Sequence, residues 1–182
     1  MLLTFLQLID AQSFGFVVAA AAICTLSGWL VMHLAGRARK CVGAARLVWL
    51  AGAALVASAG VWTTHFIAML GYRTDIAIGY DLSQTLISFG ASVIAVGIPL
   101  GAAGVFRALP VRVALAGTAG LGIAIMHVAG MQAIEGCQQT QSLTANIAAA
   151  AIGAVALAAT QLVGGLPPEK WSSLRYGFWP CG

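Results

Sequence analysis

Charge is what this sequence has least of. Only 8% of its residues are Asp, Glu, Lys or Arg, and just five are acidic. A soluble domain carries roughly 25% charged residues. So few charges cannot cover the surface of a water-soluble fold, which leaves lipid as the solvent for much of the chain. Lys and Arg are missing altogether from Met1 to Asp10. A secretory leader normally begins with positive charge, so the first apolar stretch reads as a retained helix. The four cysteines, Cys24, Cys41, Cys137 and Cys181, form no C-x-x-C pair. That excludes a zinc-type framework, and their placement suggests no intrachain disulfide. Nucleophile–base arrangements, phosphate loops and paired acid/base carboxylates are also missing, so the chain is not expected to be an enzyme. The net charge of +4 does not mark a nucleic-acid surface, because the basic residues sit in short clusters between apolar runs, where they act as topology signals.

What is present is apolar. Hydrophobic residues make up 60% of the chain, and there are 22 glycines, which suit close helix–helix approach in lipid. Five stretches, at about 13–36, 47–70, 82–106, 111–134 and 143–166, are each long enough to cross roughly 30 Å of hydrocarbon at about 1.5 Å per residue. Only helices satisfy every backbone group within one spanning segment. The fold expected is therefore all-α: a polytopic transmembrane bundle of about five helices. Its divisions are an outer N-terminal segment (1–12), a membrane domain (13–166) and a cytoplasmic tail (167–182). Pro110 marks the start of the fourth helix, and Pro167 and Pro168 the end of the fifth.

Orientation follows from the loops. Arg37, Arg39, Lys40 and Arg46, then Arg107 and Arg112, then Lys170 and Arg175 alternate with loops that hold Asp75, Asp81, Glu135 and a lone Arg73. Eight of the nine Lys/Arg thus fall on one side, which the positive-inside rule assigns to the cytoplasm. The N-terminus is expected outside and the C-terminus inside. The outer carboxylates read as loop residues, with Asp81 alternatively the N-cap of the third helix.

The chain also contains an internal two-helix repeat. The second helix ends Gly60-Val61-Trp62-Thr63-Thr64-His65-Phe66-Ile67-Ala68-Met69, and the fourth ends Gly122-Ile123-Ala124-Ile125-Met126-His127-Val128-Ala129-Gly130-Met131. Both read G-x-x-x-x-H-x-x-x-M, and the histidines are 62 residues apart. A further period would place a third histidine beyond Gly182, while Lys170–Gly177 resembles the basic start of another helix. The expectation is that a third repeat has been lost, the alternative being a natural short C-terminus whose Trp and Tyr lie at the membrane interface.

In each copy Met lies four residues after His, so the two side chains share a helix face about one turn apart. Imidazole and thioether are both copper ligands, and thioether favours Cu(I). His65, Met69, His127 and Met131 would form a neutral, soft, four-ligand metal site, with Met126 as an alternative ligand. Against this stands a packing reading, since His often hydrogen-bonds between membrane helices and Met fills gaps. Cys137 is at most an auxiliary ligand. His33, followed four residues on by Arg37 rather than Met, belongs at the opposite membrane face.

These residues resemble the MHYT domain, a bacterial integral-membrane sensor module. The similarity runs from about Ser13 to Arg175. It is most specific over Gly60–Leu70 and Met126–Met131, and extends to Leu34-Ala35-Gly36-Arg37, Arg46 and Trp49-Leu50. The resemblance implies a multi-pass protein of the bacterial cytoplasmic membrane and a family pattern of seven helices with three His motifs. It also implies copper bound near the outer face, which senses oxygen, carbon monoxide or nitric oxide. Cytoplasmic GGDEF and EAL domains often follow, so a signalling output partner acting in trans is expected here. The alternatives are a transporter or metal-ion conduit, which needs polar groups continuing across the membrane beyond Ser88, Ser92, Thr160 and Gln161, and a truncated remnant without activity.

Overall fold

A computed structural model describes residues 14–71, 79–135 and 143–163. The elements in chain order are α1 (Phe14–Ala38), α2 (Gly43–Leu70), β1 (Gly79–Tyr80), α3 (Leu82–Ser92), a π-helical segment (Val93–Gly97), α4 (Ile98–Val105), α5 (Leu109–Met131), β2 (Ile134–Glu135) and α6 (Leu143–Val163). The segment from Leu82 to Val105 is one continuous span, so five helices are long and apolar enough to cross a membrane. Large apolar side chains such as Leu86, Ile94, Ile147 and Ile152 are 60% or more exposed. Water would make such a surface unstable, whereas hydrocarbon makes it the outside of the bundle. The chain is an all-α multi-pass membrane protein.

The spans are laid side by side. α1 packs chiefly on α2, α6 chiefly on α5, and the third span is wedged between α2 and α5, touching both. Glycine makes these approaches possible. A Cβ at Gly60 would collide with Ser27 of α1, and one at Gly122, the same place in the second copy of the repeat, would collide with the Ala95 backbone. The glycine five residues before each histidine is therefore where its helix meets the preceding span. The opposite face repeats as well. Ser58 meets the third span, where Ser92 donates to its carbonyl at 2.9 Å, and Gly120, one period later, meets the Gly153–Ala154 backbone of α6. One copy of the interface is hydrogen-bonded and the other is held by backbone contact.

The third span is not a uniform helix. Ile98 N–H donates five residues back to Val93 O, the π pattern, and Pro99 follows immediately. Proline has no N–H to give the preceding turn, so the local ladder is already broken there. The bulge lets one short stretch serve two neighbours: Gly97 abuts Ser58 of α2 while Ala95 abuts Gly122 of α5, with Val96 fully buried between them.

Boundaries depart from expectation at two places, each for a local reason. α2 begins at Gly43 rather than near 47, so Arg46 lies inside its first turn. There its guanidinium donates to the Gly104 and Val105 carbonyls at 2.6 and 3.3 Å, satisfying the end of α4. The fourth span stops at Met131, because Ile134–Glu135 leaves the helix to pair with Gly79–Tyr80 as an antiparallel ribbon. Asp81 accepts from Gln84 N at 2.6 Å and is the N-cap of α3. Pro110 stands at the start of α5, as its sequence position implied. Cys41, at the turn between α1 and α2, is disulfide-bonded to a partner outside the described residues. This corrects the expectation of no bridge, because the positions of cysteines in the sequence do not say which loops meet.

Candidate functional site

α2 and α5 run in the same direction with the third span between them, and they come together near their ends, where the two histidines lie. His65 and His127 face each other Nδ1 to Nδ1 at 3.3 Å. Their rings are nearly perpendicular, with centroids 4.9 Å apart. The approach depends on Gly130, since a methyl there would sit 2.6 Å from His65 Nε2. The imidazole of α2 therefore lies directly on the backbone of α5, three residues after the other histidine. Gly130 lies inside the second copy of the motif, where its sequence position alone assigns it no role.

An aromatic wall closes the α2–α3 side. Trp62 contacts Phe66 (4.9 Å) and Phe89 (5.4 Å), Phe66 packs edge-on against His65 (5.2 Å), and Tyr80 of the ribbon lies 6.1 Å from Phe66. Burial pushes the Tyr80 hydroxyl above the usual tyrosine range. Trp62 Nε1 donates to Ser88 Oγ at 3.0 Å, and that hydroxyl in turn donates to the Thr85 carbonyl. Sequence pointed to Ser88 as a polar residue in an apolar span, but its partner depends on which face of α3 meets α2.

Two polar atoms in this layer are buried without a hydrogen-bond partner: His65 Nε2 and Thr64 Oγ1. Such groups are costly in a dry interior. If the imidazoles bond directly, one Nδ1 carries a proton and the other does not. His65 as the donor then leaves its Nε2 as a bare lone pair rather than a stranded N–H. The alternative is that a cation sits between the two Nδ1 atoms. Two nitrogens each about 2.0–2.1 Å from a tetrahedral ion lie about 3.3–3.4 Å apart, which matches the separation seen.

The methionines are placed by helix periodicity. Met69 and Met131 are half-buried in the last turns of α2 and α5, one turn beyond their histidines, while Met126 is buried at 1% exposure next to His127. Among the described residues, no three of His, Cys, Asp and Glu converge on one point. Neither Asp81 nor Glu135 joins the histidines. Asp75 and Cys137 lie outside the described residues. His33 stacks on Trp29 at 5.6 Å, one turn from Arg37 at the basic end of α1, well apart from the pair.

Residues 59–117, which include the first of these histidines, match the MHYT family, described as a bacterial signalling protein N-terminal repeat. This chain carries an MHYT region. The chain is 32% identical over 132 residues to the bifunctional diguanylate cyclase/cyclic di-GMP phosphodiesterase MucR of Pseudomonas aeruginosa, covering 70% of this chain and 19% of that protein. It is 36% identical over 123 residues to the cyclic di-GMP phosphodiesterase NbdA of the same organism, covering 66% and 16%. An uncharacterized signaling protein of Caulobacter vibrioides is 33% identical over 117 residues, covering 64% and 14%. The chain thus spans about a fifth or less of the length of these curated relatives, so what it shares with them is a sensor-type membrane region of signalling proteins. No solved structure matches it.

Proposed function

We propose that this chain is a membrane sensor module in which His65 and His127 jointly bind copper, and that a diatomic gas or a redox change is read there. The observation that carries the reading is the 3.3 Å Nδ1–Nδ1 contact between histidines from two copies of one repeat. When bound, copper would supply a redox couple and a coordination position open to a small ligand. The chain's own groups account for the rest. His65 and His127 tie α2 to α5, Gly130 admits the first ring, and the sulfurs of Met69, Met131 and Met126 are the neutral soft donors near them. Phe66 and Trp62 exclude water on one side. Positive-inside reasoning puts this site at the outer face, and the names of the relatives suggest that the output is cyclic di-GMP signalling through a cytoplasmic partner.

A conduit is the second reading. Ser58, Ser88 and Ser92, all fully buried, extend polar character below the pair. Their hydroxyls are spent on backbone carbonyls, however, and beyond them the α2 face toward the basic end is Leu50, Ala53 and Ala54. That favours a sensor over a path across the membrane.

Metal content of the purified full chain and competition titration with a Cu(I) chelator test the proposal. About one copper per chain is expected, with His65→Ala or His127→Ala each lowering affinity at least about 100-fold, as loss of a ligand should exceed the 10–100-fold seen for outer-shell partners. Equal affinity in wild type and both variants would remove copper from the pair and leave the histidines as an interhelical hydrogen bond.

A further inference from the structure

On the lipid-facing side of the α2–third span junction, away from the histidines, lies an open apolar groove of about 390 Å³. Leu47, Leu50 and Leu55 form one wall, and Val93, Ile98 and Val105 the other, with Gly97 and Gly101 at the floor, where the third span rests on α2. From Leu47 to Leu55 the groove runs about 12 Å along α2, close to the roughly 15 Å depth of one leaflet. Its end near Leu47 and Val105 is basic. Arg46 precedes Leu47 and spends one terminal nitrogen of its guanidinium on the Gly104 and Val105 carbonyls. The exposed Arg107 follows Val105 by two residues. Arg37, Arg39, Lys40 and Arg112 lie at the same end of the bundle, and among the described residues no carboxylate does.

We infer that this groove is a seat for an anionic phospholipid, with an acyl chain between α2 and the third span and the phosphate on the Arg46–Arg107 edge. The apolar lining selects hydrocarbon, and the uncompensated basic rim selects a negative headgroup over a zwitterionic one. Arg46 also holds the C-terminal carbonyls of α4, so an occupied seat would brace the junction of α2 with α4. This site does not depend on copper binding.

The test is native mass spectrometry of the full chain titrated with phosphatidylglycerol or with phosphatidylcholine of the same acyl composition. Three proteins are compared: wild type, Ala51→Phe, which fills the groove from its exposed rim, and Arg107→Gln, which removes charge without touching the helix cap. Wild type should form a one-to-one phosphatidylglycerol adduct at several-fold lower lipid concentration than the phosphatidylcholine adduct. Arg107→Gln should shrink that preference about fivefold, as expected for one basic contact, and Ala51→Phe should abolish the adduct. Equal binding of both lipids by wild type, or an unchanged adduct in Ala51→Phe, overturns the proposal. Self-cross-linking of an Ala51→Cys variant in membranes also overturns it, by giving the groove to a second copy of the chain.

Discussion

At the scale of single residues, the informative positions are glycines chosen by contact rather than by turn geometry. Gly122 is buried with the Ala95 backbone where its Cβ would be, whereas Gly90, also inside a span, has nothing within 4 Å of that position. Substituting alanine should therefore act in opposite directions. Gly122→Ala forces two helix backbones apart and should destabilise by about 1–3 kcal/mol, the usual cost of overpacking. Gly90→Ala should be neutral or stabilising by up to about 1 kcal/mol, because alanine loses less backbone entropy than glycine. Unfolding midpoints in mixed micelles of increasing denaturing detergent would show the split, and equal midpoints would mean that α5 and the third span do not meet at this point. The same contact logic explains the motif. Its glycine seats each helix on the preceding span, and its histidine then emerges at a set height one turn and a half further on.

At the scale of elements, the third span carries the irregularity. A π segment behaves as one residue inserted into a regular helix, here placed so that Ser92 and Gly97 face α2 while Ala95 faces α5. Deleting Ile94, which is 66% exposed, would convert the segment to α-helix and keep the flanking faces in register. Deleting the comparably exposed Ile87 in regular α3 would rotate everything before it by about 100°, displacing the Asp81 cap and the Tyr80 ring that lies against Phe66. The folded, monodisperse yield of the Ile94 deletion should stay near wild type and that of the Ile87 deletion should collapse. Equal losses would show that the π segment is not the slack in this span. Nothing in the residue types from Val93 to Gly97 announces a π segment. Pro99 signals only that the ladder breaks nearby, and the position of the bulge is set by the two neighbours that the span must satisfy.

At the scale of the whole molecule, orientation rests on the basic loops. A cysteine placed at Ala108, between the third span and α5, should be shielded from a membrane-impermeant maleimide applied to intact cells. One placed at Glu135, in the ribbon beyond α5, should be labelled. Both belong in a background with the four native cysteines replaced by alanine. Labelling at 108 without lysis would invert the topology and place the histidine pair on the cytoplasmic side. The described basic side chains, Arg37 through Arg112, gather at one end of the bundle and the ribbon at the other, so a single label at each end decides the matter.

The amino-acid sequence alone determined the number of spans, their approximate limits, the shared end of the two histidines and the repeat. Hydropathy, charge and helical periodicity act along the chain and need no partner to be read. The sequence also showed that His65 and His127 occupy equivalent positions, which brings them to one depth but not to one point. Only the tertiary structure decided that they touch, because contact depends on the side-to-side order of the helices and on a glycine, Gly130, whose value appears only when the ring of another helix rests on it. Ser58 with Ser92, Trp62 with Ser88 and Arg46 with the end of α4 share that character. Each residue is legible as polar and out of place in lipid, and the partner that makes its burial tolerable comes from a distant part of the chain that packing alone brings alongside.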